Sequence, residues 1–166
     1  MDDETRERLQ ADYELHAKTF AGLPGAASLI DLYGNVPGFH DAEVRELRLS
    51  AKSESTIKIS NLFPDIFSQA HVLVTLTIRE IVHIQLDGFS PRNILYWLRT
   101  RPAVAKPDQE RFYSRKRKDD DLELELGATF GIGGSLVCNG ISVTWTKDRR
   151  ARGLSKPQNE PKLLGQ

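Results

Sequence analysis

HVLVTLTIREIVHIQLD, residues 71–87, is the stretch on which the fold turns. Val72, Val74, Leu76 and Ile78 alternate with Leu73, Thr75, Thr77 and Arg79, the period of two that marks a half-buried antiparallel strand. Val82, Ile84 and Leu86 keep that parity while His83, Gln85 and Asp87 point the other way, so one long bent strand or two short ones would fit. The same period extends outward. Leu47 and Leu49 alternate with Glu46 and Arg48, Ile57 and Ile59 with Thr56, Lys58 and Ser60, and Leu122, Leu124 and Leu126 with Glu123 and Glu125. ERFYSRKRK (110–118) also returns to strand character, and Asn139-Gly140 signals a two-residue hairpin that would set Leu136 opposite Val143 and Cys138 opposite Ile141.

The helical pattern lies upstream of every strand. Acidic residues open residues 2–20, where Leu9, Tyr13, Ala17 and Phe20 form one apolar stripe. GLPG (22–25) breaks that helix, and AASLIDLYG (26–34) gives a second, short one closed by Gly34. Ser90 and Pro91 suit a helix entry, after which Ile94, Leu95 and Leu98 would face the sheet. The expected fold is α+β: N-terminal helices, then a curved, mainly antiparallel β-sheet with one short inserted helix. The chain divides into an N-terminal helical extension (1–25), a single domain (26–147) and a polar, turn-rich tail (148–166) expected to be disordered.

With 166 residues and 39% hydrophobic content, the chain suffices for one domain with a core. Lys plus Arg equals Asp plus Glu at 23 each, so no global field draws it to nucleic acid or to a membrane surface. Its one cysteine, Cys138, rules out an intramolecular disulfide and a multi-cysteine zinc site. No apolar run is long enough to span a bilayer, and MDDETRERLQ lacks the pattern of a secretion signal, so the expected location is the cytoplasm.

His40-Asp41 invites a test as a metal or hydrolase site, since imidazole and carboxylate are common ligands. Convergent ligands are wanting: His16, His71 and His83 have no acidic residue at ligand spacing. A structural corner accounts for the pair better. Pro37 and Gly38 turn the chain, Phe39 plugs the core, and His40 and Asp41 bond backbone groups where the chain enters the sheet. Gly131-Ile132-Gly133-Gly134 lacks a P-loop's Lys-Ser/Thr pair and reads as a turn or bulge, and Cys138 reads as a buried thiol. Five basic residues in RFYSRKRK (111–118) face five acidic ones in DDDLELE (119–125), which a turn could set opposite each other across a ladder. The basic run offers only a weak nucleic-acid patch, with Phe112 and Tyr113 as its aromatics. The acidic run could meet a basic protein.

YGNVPGFHDAEVRELRLS (33–50) resembles the immunity protein 50 family of bacterial polymorphic toxin systems. The match is carried by Tyr33-Gly34, Pro37, Phe39, His40, Asp41, Ala42, Glu43 and Val44, with Val36 where the family usually has tryptophan and Gly38 where serine is common. LDGFSPRNIL (86–95) and FGIGGSLVCNGISV (130–143) resemble later segments of the family. The resemblance implies a small cytoplasmic protein that binds and neutralises a cognate toxin domain, with no catalysis, cofactor or metal of its own. The motif Phe39, His40, Asp41, Ala42, Glu43 and Val44 would be structural. Asp119, Asp120, Asp121, Glu123 and Glu125 are the partner-binding candidates, and neither a membrane nor nucleic acid is the expected partner. Two other readings stay open: a metal-dependent hydrolase using His40 and Asp41 with His71 or His83, and a nucleic-acid-binding module using residues 111–118.

Overall fold

A computed structural model of the chain describes residues 2–62 and 71–148. Two helices, α1 (Asp3–Ala21) and α2 (Ala26–Tyr33), precede the strands β1 (Glu43–Arg48), β2 (Ser55–Leu62), β3 (His71–Asp87) and β4 (Ile94–Pro102). A single-turn helix, α3 (Pro107–Glu110), separates these from β5 (Leu122–Phe130) and β6 (Gly133–Asp148). All the strand pairs are antiparallel, in the closed order β1-β2-β3-β6-β5-β4. The α+β class holds, with the sheet rolled into a barrel whose interior is filled by side chains. No described helix is long and apolar enough to cross a membrane.

β3 is one strand of 17 residues, paired with β6 from His71↔Asp148 to Asp87↔Gly133. Its alternation does not run through unbroken. Val72, Val74, Leu76 and Ile78 face the main core, and so do Ile81, Ile84 and Leu86. Val82 instead joins Val137, Ala103 and Tyr113 in a smaller cluster. Two irregularities cause the change: Glu80 has φ 46°, and the β3–β6 register shifts between Ile81 and His83. β6 changes parity at the same level, with Leu136 and Cys138 on one side of the bend and Ile141 and Val143 on the other. Asn139-Gly140 is therefore not a hairpin turn. Gly140 pairs with Arg79 in mid-ladder, Leu136 lies opposite Ile84 and Leu124, and Ile141 opposite Ile78. The tight turn lies at Gly131-Ile132, where Gly131 has φ 78°.

The expected helix after Ser90-Pro91 is strand β4. Ser90 and Asn93 close a side-chain turn instead of capping a helix: Asn93 Oδ1 accepts the Ser90 N–H at 2.9 Å and Asn93 Nδ2 donates to the Ser90 carbonyl at 2.6 Å. The spacing of Leu95 and Leu98 looked helical because a bulge at Tyr96, between Leu95 and Trp97, inserts one extra residue into the strand. The segment 110–118, read as a strand, is irregular beyond Glu110, which ends α3, the inserted helix.

α1 follows the sequence at its ends: Asp2 accepts the Thr5 N–H at 2.7 Å, and the helix stops at Gly22. Its expected stripe is only half used. Phe20 is fully buried, but Leu9 and Tyr13 are 42% and 52% exposed. The boundary at residue 25 is not a packing boundary, because Phe20, Leu23, Ala26 and Leu29 share one core with the barrel. Asp148 ends β6, and the rest of the tail expected from 148 onward lies outside the described residues.

α1 also completes the barrel wall. Among the described residues β1 pairs with β4 only at Glu43↔Ile94, which leaves the rest of that β4 edge without a strand. His16 Nδ1 accepts the Thr100 backbone N–H there at 3.0 Å, taking the place of a neighbouring strand's carbonyl. Burial, then the nearby Arg99 charge, pushes the His16 pKa below its ordinary 6.5. A depressed imidazole pKa means that the unfolded chain binds the proton more readily. Stability from this contact is therefore full above about pH 6.5 and is lost as pH falls. Denaturant melts should show the wild type weakening from pH 7 to pH 5, and His16→Gln, less stable at pH 8, should show a flatter profile over that range.

Candidate functional site

The FHDAEV corner joins α2 to the barrel. Phe39, Ala42 and Val44 are buried, and Phe39 packs on Phe20 with ring centroids 6.1 Å apart. The corner is held by backbone bonds: Asp41 N–H to the Leu95 carbonyl (2.9 Å), Leu95 N–H to the Ala42 carbonyl (2.8 Å) and Val44 N–H to the Asn93 carbonyl (2.9 Å). His40 and Asp41 do not bond backbone with their side chains, as expected of them, but pair with each other, Nδ1 to Oδ2 at 3.0 Å. They are 62% and 65% exposed. Asp41 sits at φ 62°, a left-handed conformation that costs a non-glycine residue about 1 kcal/mol, Asp less than most.

From this corner a line of contacts runs across the seam between β4 and α1. His40 stands edge-on to Tyr96 (centroids 5.1 Å apart) and Tyr96 edge-on to Trp97 (5.3 Å). The Arg99 guanidinium lies 4.8 Å from the Trp97 ring centre and 3.9 Å from the Asp12 carboxylate on α1. Trp97 also rests on Gly127 of β5, where a Cβ would come within 2.3 Å of the indole. Tyr96 bulges from β4 and is 53% exposed, and Tyr13 of α1 is exposed beside it. Together with Val36, Phe39 and His16 these groups border a hollow of about 340 Å³. Sequence reading missed Tyr96, Trp97, Arg99, Asp12 and Tyr13 as a group, because it placed Tyr96 and Trp97 on a helix.

The acidic candidates divide. Asp121 and Glu123 are buried and cannot meet a partner, whereas Asp119 and Asp120 are exposed and Glu125 is half-buried. Arg115 clamps Asp121 with two bonds of 2.8 and 2.9 Å and reaches Glu80, at the β3 bend, at 2.5 Å. Glu123 lies between Arg101, at 3.0 Å, and Lys106. Oppositely charged residues do face each other across a ladder, but on β4 and β5, as Arg99↔Glu125 and Arg101↔Glu123. In the basic run, Arg115 and Arg117 are held by carboxylates and Arg111 covers Phe112. The charges read as an interface thus largely tie the 103–121 segment to the barrel.

A hollow of about 1090 Å³ opens between residues 49–54 and the bent half of β3, with Phe112 on its rim. Lys52, Glu54, Arg79, Glu80 and His83 are its ionisable lining groups, of which Glu80 is taken by Arg115 and His83 is stacked on Tyr113, 5.0 Å between centroids. Among the described residues no group of three or more His, Cys, Asp or Glu is placed to hold a metal ion. His71 is engaged by Ser60 at 3.2 Å. Cys138 is buried, and burial pushes its thiol up to about 12, which keeps it protonated and inert at neutral pH.

No protein-family model, no curated protein and no solved structure matches the chain.

The bond from Arg115, set against the cost of burial, brings the Asp121 carboxyl down to about 2. A depressed carboxyl pKa stabilises the fold above its unfolded value of 3.8, and that contribution is lost as pH falls toward 2. Acid titration followed by circular dichroism should show this loss in the wild type. Asp121→Asn should be destabilised by about 3 kcal/mol at pH 7, because Arg115 loses its buried partner, and should lose less on going from pH 4 to pH 2.

Proposed function

We propose that the chain is a toxin-neutralising immunity protein of the cytoplasm, which binds a cognate toxin domain and performs no catalysis. The observation that carries this reading is the line of side chains Asp41, His40, Tyr96, Trp97, Arg99 and Asp12, which begins on the corner that resembles the immunity protein 50 family. Tyr, Trp and Arg are the residues that most often dominate protein–protein affinity, since large, semi-rigid groups bury much area for little lost freedom. Here each is held by a neighbour, Trp97 between Gly127 and Arg99 and Tyr96 between His40 and Trp97, so little ordering entropy remains to be lost on binding. An inhibitor works by covering its target's active surface, and a stiff barrel with an exposed aromatic stripe suits that task. Asp119 and Asp120, exposed at the far end of the 103–121 segment, remain available for a second contact.

The test is to co-express the chain with the toxin domain encoded beside its gene. Protection of the cells and co-purification of a complex support the reading; a toxin that still kills, with no complex formed, overturns it. Within that complex Tyr96→Ala should lower affinity at least about tenfold, roughly 1.4 kcal/mol, by calorimetry. Its melting should change by less than about 0.5 kcal/mol, as for other exposed positions.

A further inference from the structure

We infer that the stripe receives a lysine or arginine side chain of the partner protein, seated on Tyr96 beside Asp41; the identity of that partner rests on the function proposed above. Charge and ring geometry both lead there. Arg99, the one permanent cation of the stripe, is already committed to the Trp97 face and to Asp12. Among the described residues Asp41 has no such counter-ion, because its one close partner there, His40, carries charge only when protonated. The carboxylate is nevertheless displayed, 65% exposed, from a left-handed backbone position pinned to Leu95, the residue before Tyr96.

Tyr96 provides the second element. Its ring is 53% exposed, and its two aromatic neighbours meet it edge-on, at interplanar angles of 63° and 71°, so neither lies stacked flat against it. An exposed phenol ring and an uncompensated carboxylate that both meet His40 attract a cation through the ring quadrupole and through direct charge. A neutral polar group would gain neither, and an incoming carboxylate would be repelled by Asp41. Trp97 and Arg99 display the same pairing of ring and guanidinium two positions along the strand, where the chain supplies the cation itself.

The experiment uses N-acetyl-arginine methylamide as the probe, with the uncharged citrulline analogue as control, titrated into the full chain at constant ionic strength and followed by NMR. Exposed cation–π and ion-pair energies place half-saturation at roughly 100 mM. Saturable shifts confined to His40, Asp41, Tyr96 and Trp97, produced by arginine and absent with citrulline, support the inference. Asp41→Asn and Tyr96→Leu should each reduce the arginine response at least fivefold. Asp41→Gly, which suits the left-handed backbone, should lose the response while melting no lower than the wild type, separating loss of charge from loss of fold. Equal shifts from citrulline, an undiminished response in Asp41→Asn, or no response at the stripe would overturn the inference. The probe does not involve the toxin, so a complex without an arginine response refutes the cation site alone, and an arginine response without a complex refutes the toxin-binding reading alone.

Discussion

A β-strand shows its side chains to alternate faces, so a long straight strand can serve one core with only every second residue, in unbroken parity. β3 and β6 are too long for one barrel wall, and the ribbon they form must turn a corner while keeping apolar residues inside on both sides. It does so by breaking parity in both strands at one level, at Glu80 in β3 and at Asn139-Gly140 in β6. Everything else in the barrel is arranged around that corner. Before it, β3 is flanked by β2 and β6; beyond it, β6 lies between β3 and β5. Ile78 and Ile141 complete the core on one side, and Ile81, Cys138 and Leu136 resume it on the other.

The corner also holds one of the two carboxylates buried among the described residues. Glu80, in its left-handed conformation, reaches Arg115, which clamps Asp121 at the foot of β5. Ser114 N–H bonds the carbonyl of Val82, the residue that the register shift leaves out of the ladder. The segment 103–121 thus fastens to the parts of the ribbon that ladder pairing leaves free, with Tyr113 laid over Val82 and Val137. Net charge says nothing of this arrangement, since cations and anions cancel in the count whether they lie on a surface or inside a clamp.

The strands that serve a single core face were legible in the sequence: β2, β5 and the first half of β3 alternate as read, as do the short α2 and its closing Gly34. Legibility failed where a bulge altered the period. In β4 the bulge at Tyr96 gave a strand the spacing of a helix, which concealed Tyr96 and Trp97 as surface groups. Asn139-Gly140 carried the strongest local hairpin signal in the chain, yet pairing with β3 along the whole of β6 overrode it. Half of the candidate site, the FHDAEV corner, was visible from its motif. The other half depends on α1 lying against the unpaired edge of β4, a contact made by His16 and Thr100 across most of the domain and marked by no local pattern. Asp121 and Glu123 were misread for a similar reason, because their cations come from Arg115, Arg101 and Lys106 at different points of the chain.

The closed order β1-β2-β3-β6-β5-β4 is two three-stranded meanders, each made of neighbours in sequence, set edge to edge. Within a meander every pairing closes a short stretch of chain; only β3–β6 and β1–β4 join distant ones. Loop-closure entropy therefore loads the cost of assembly onto those two joints, and the β1–β4 joint is too short to bear much of it. Docking of the meanders falls to the ribbon, and the ribbon can zip past its midpoint only once Glu80 and Asn139 have turned together. The corner that shapes the finished barrel is in this sense also its register check: two preformed halves that met one residue out of step would bring the two parity breaks to different levels and could not close over a common core.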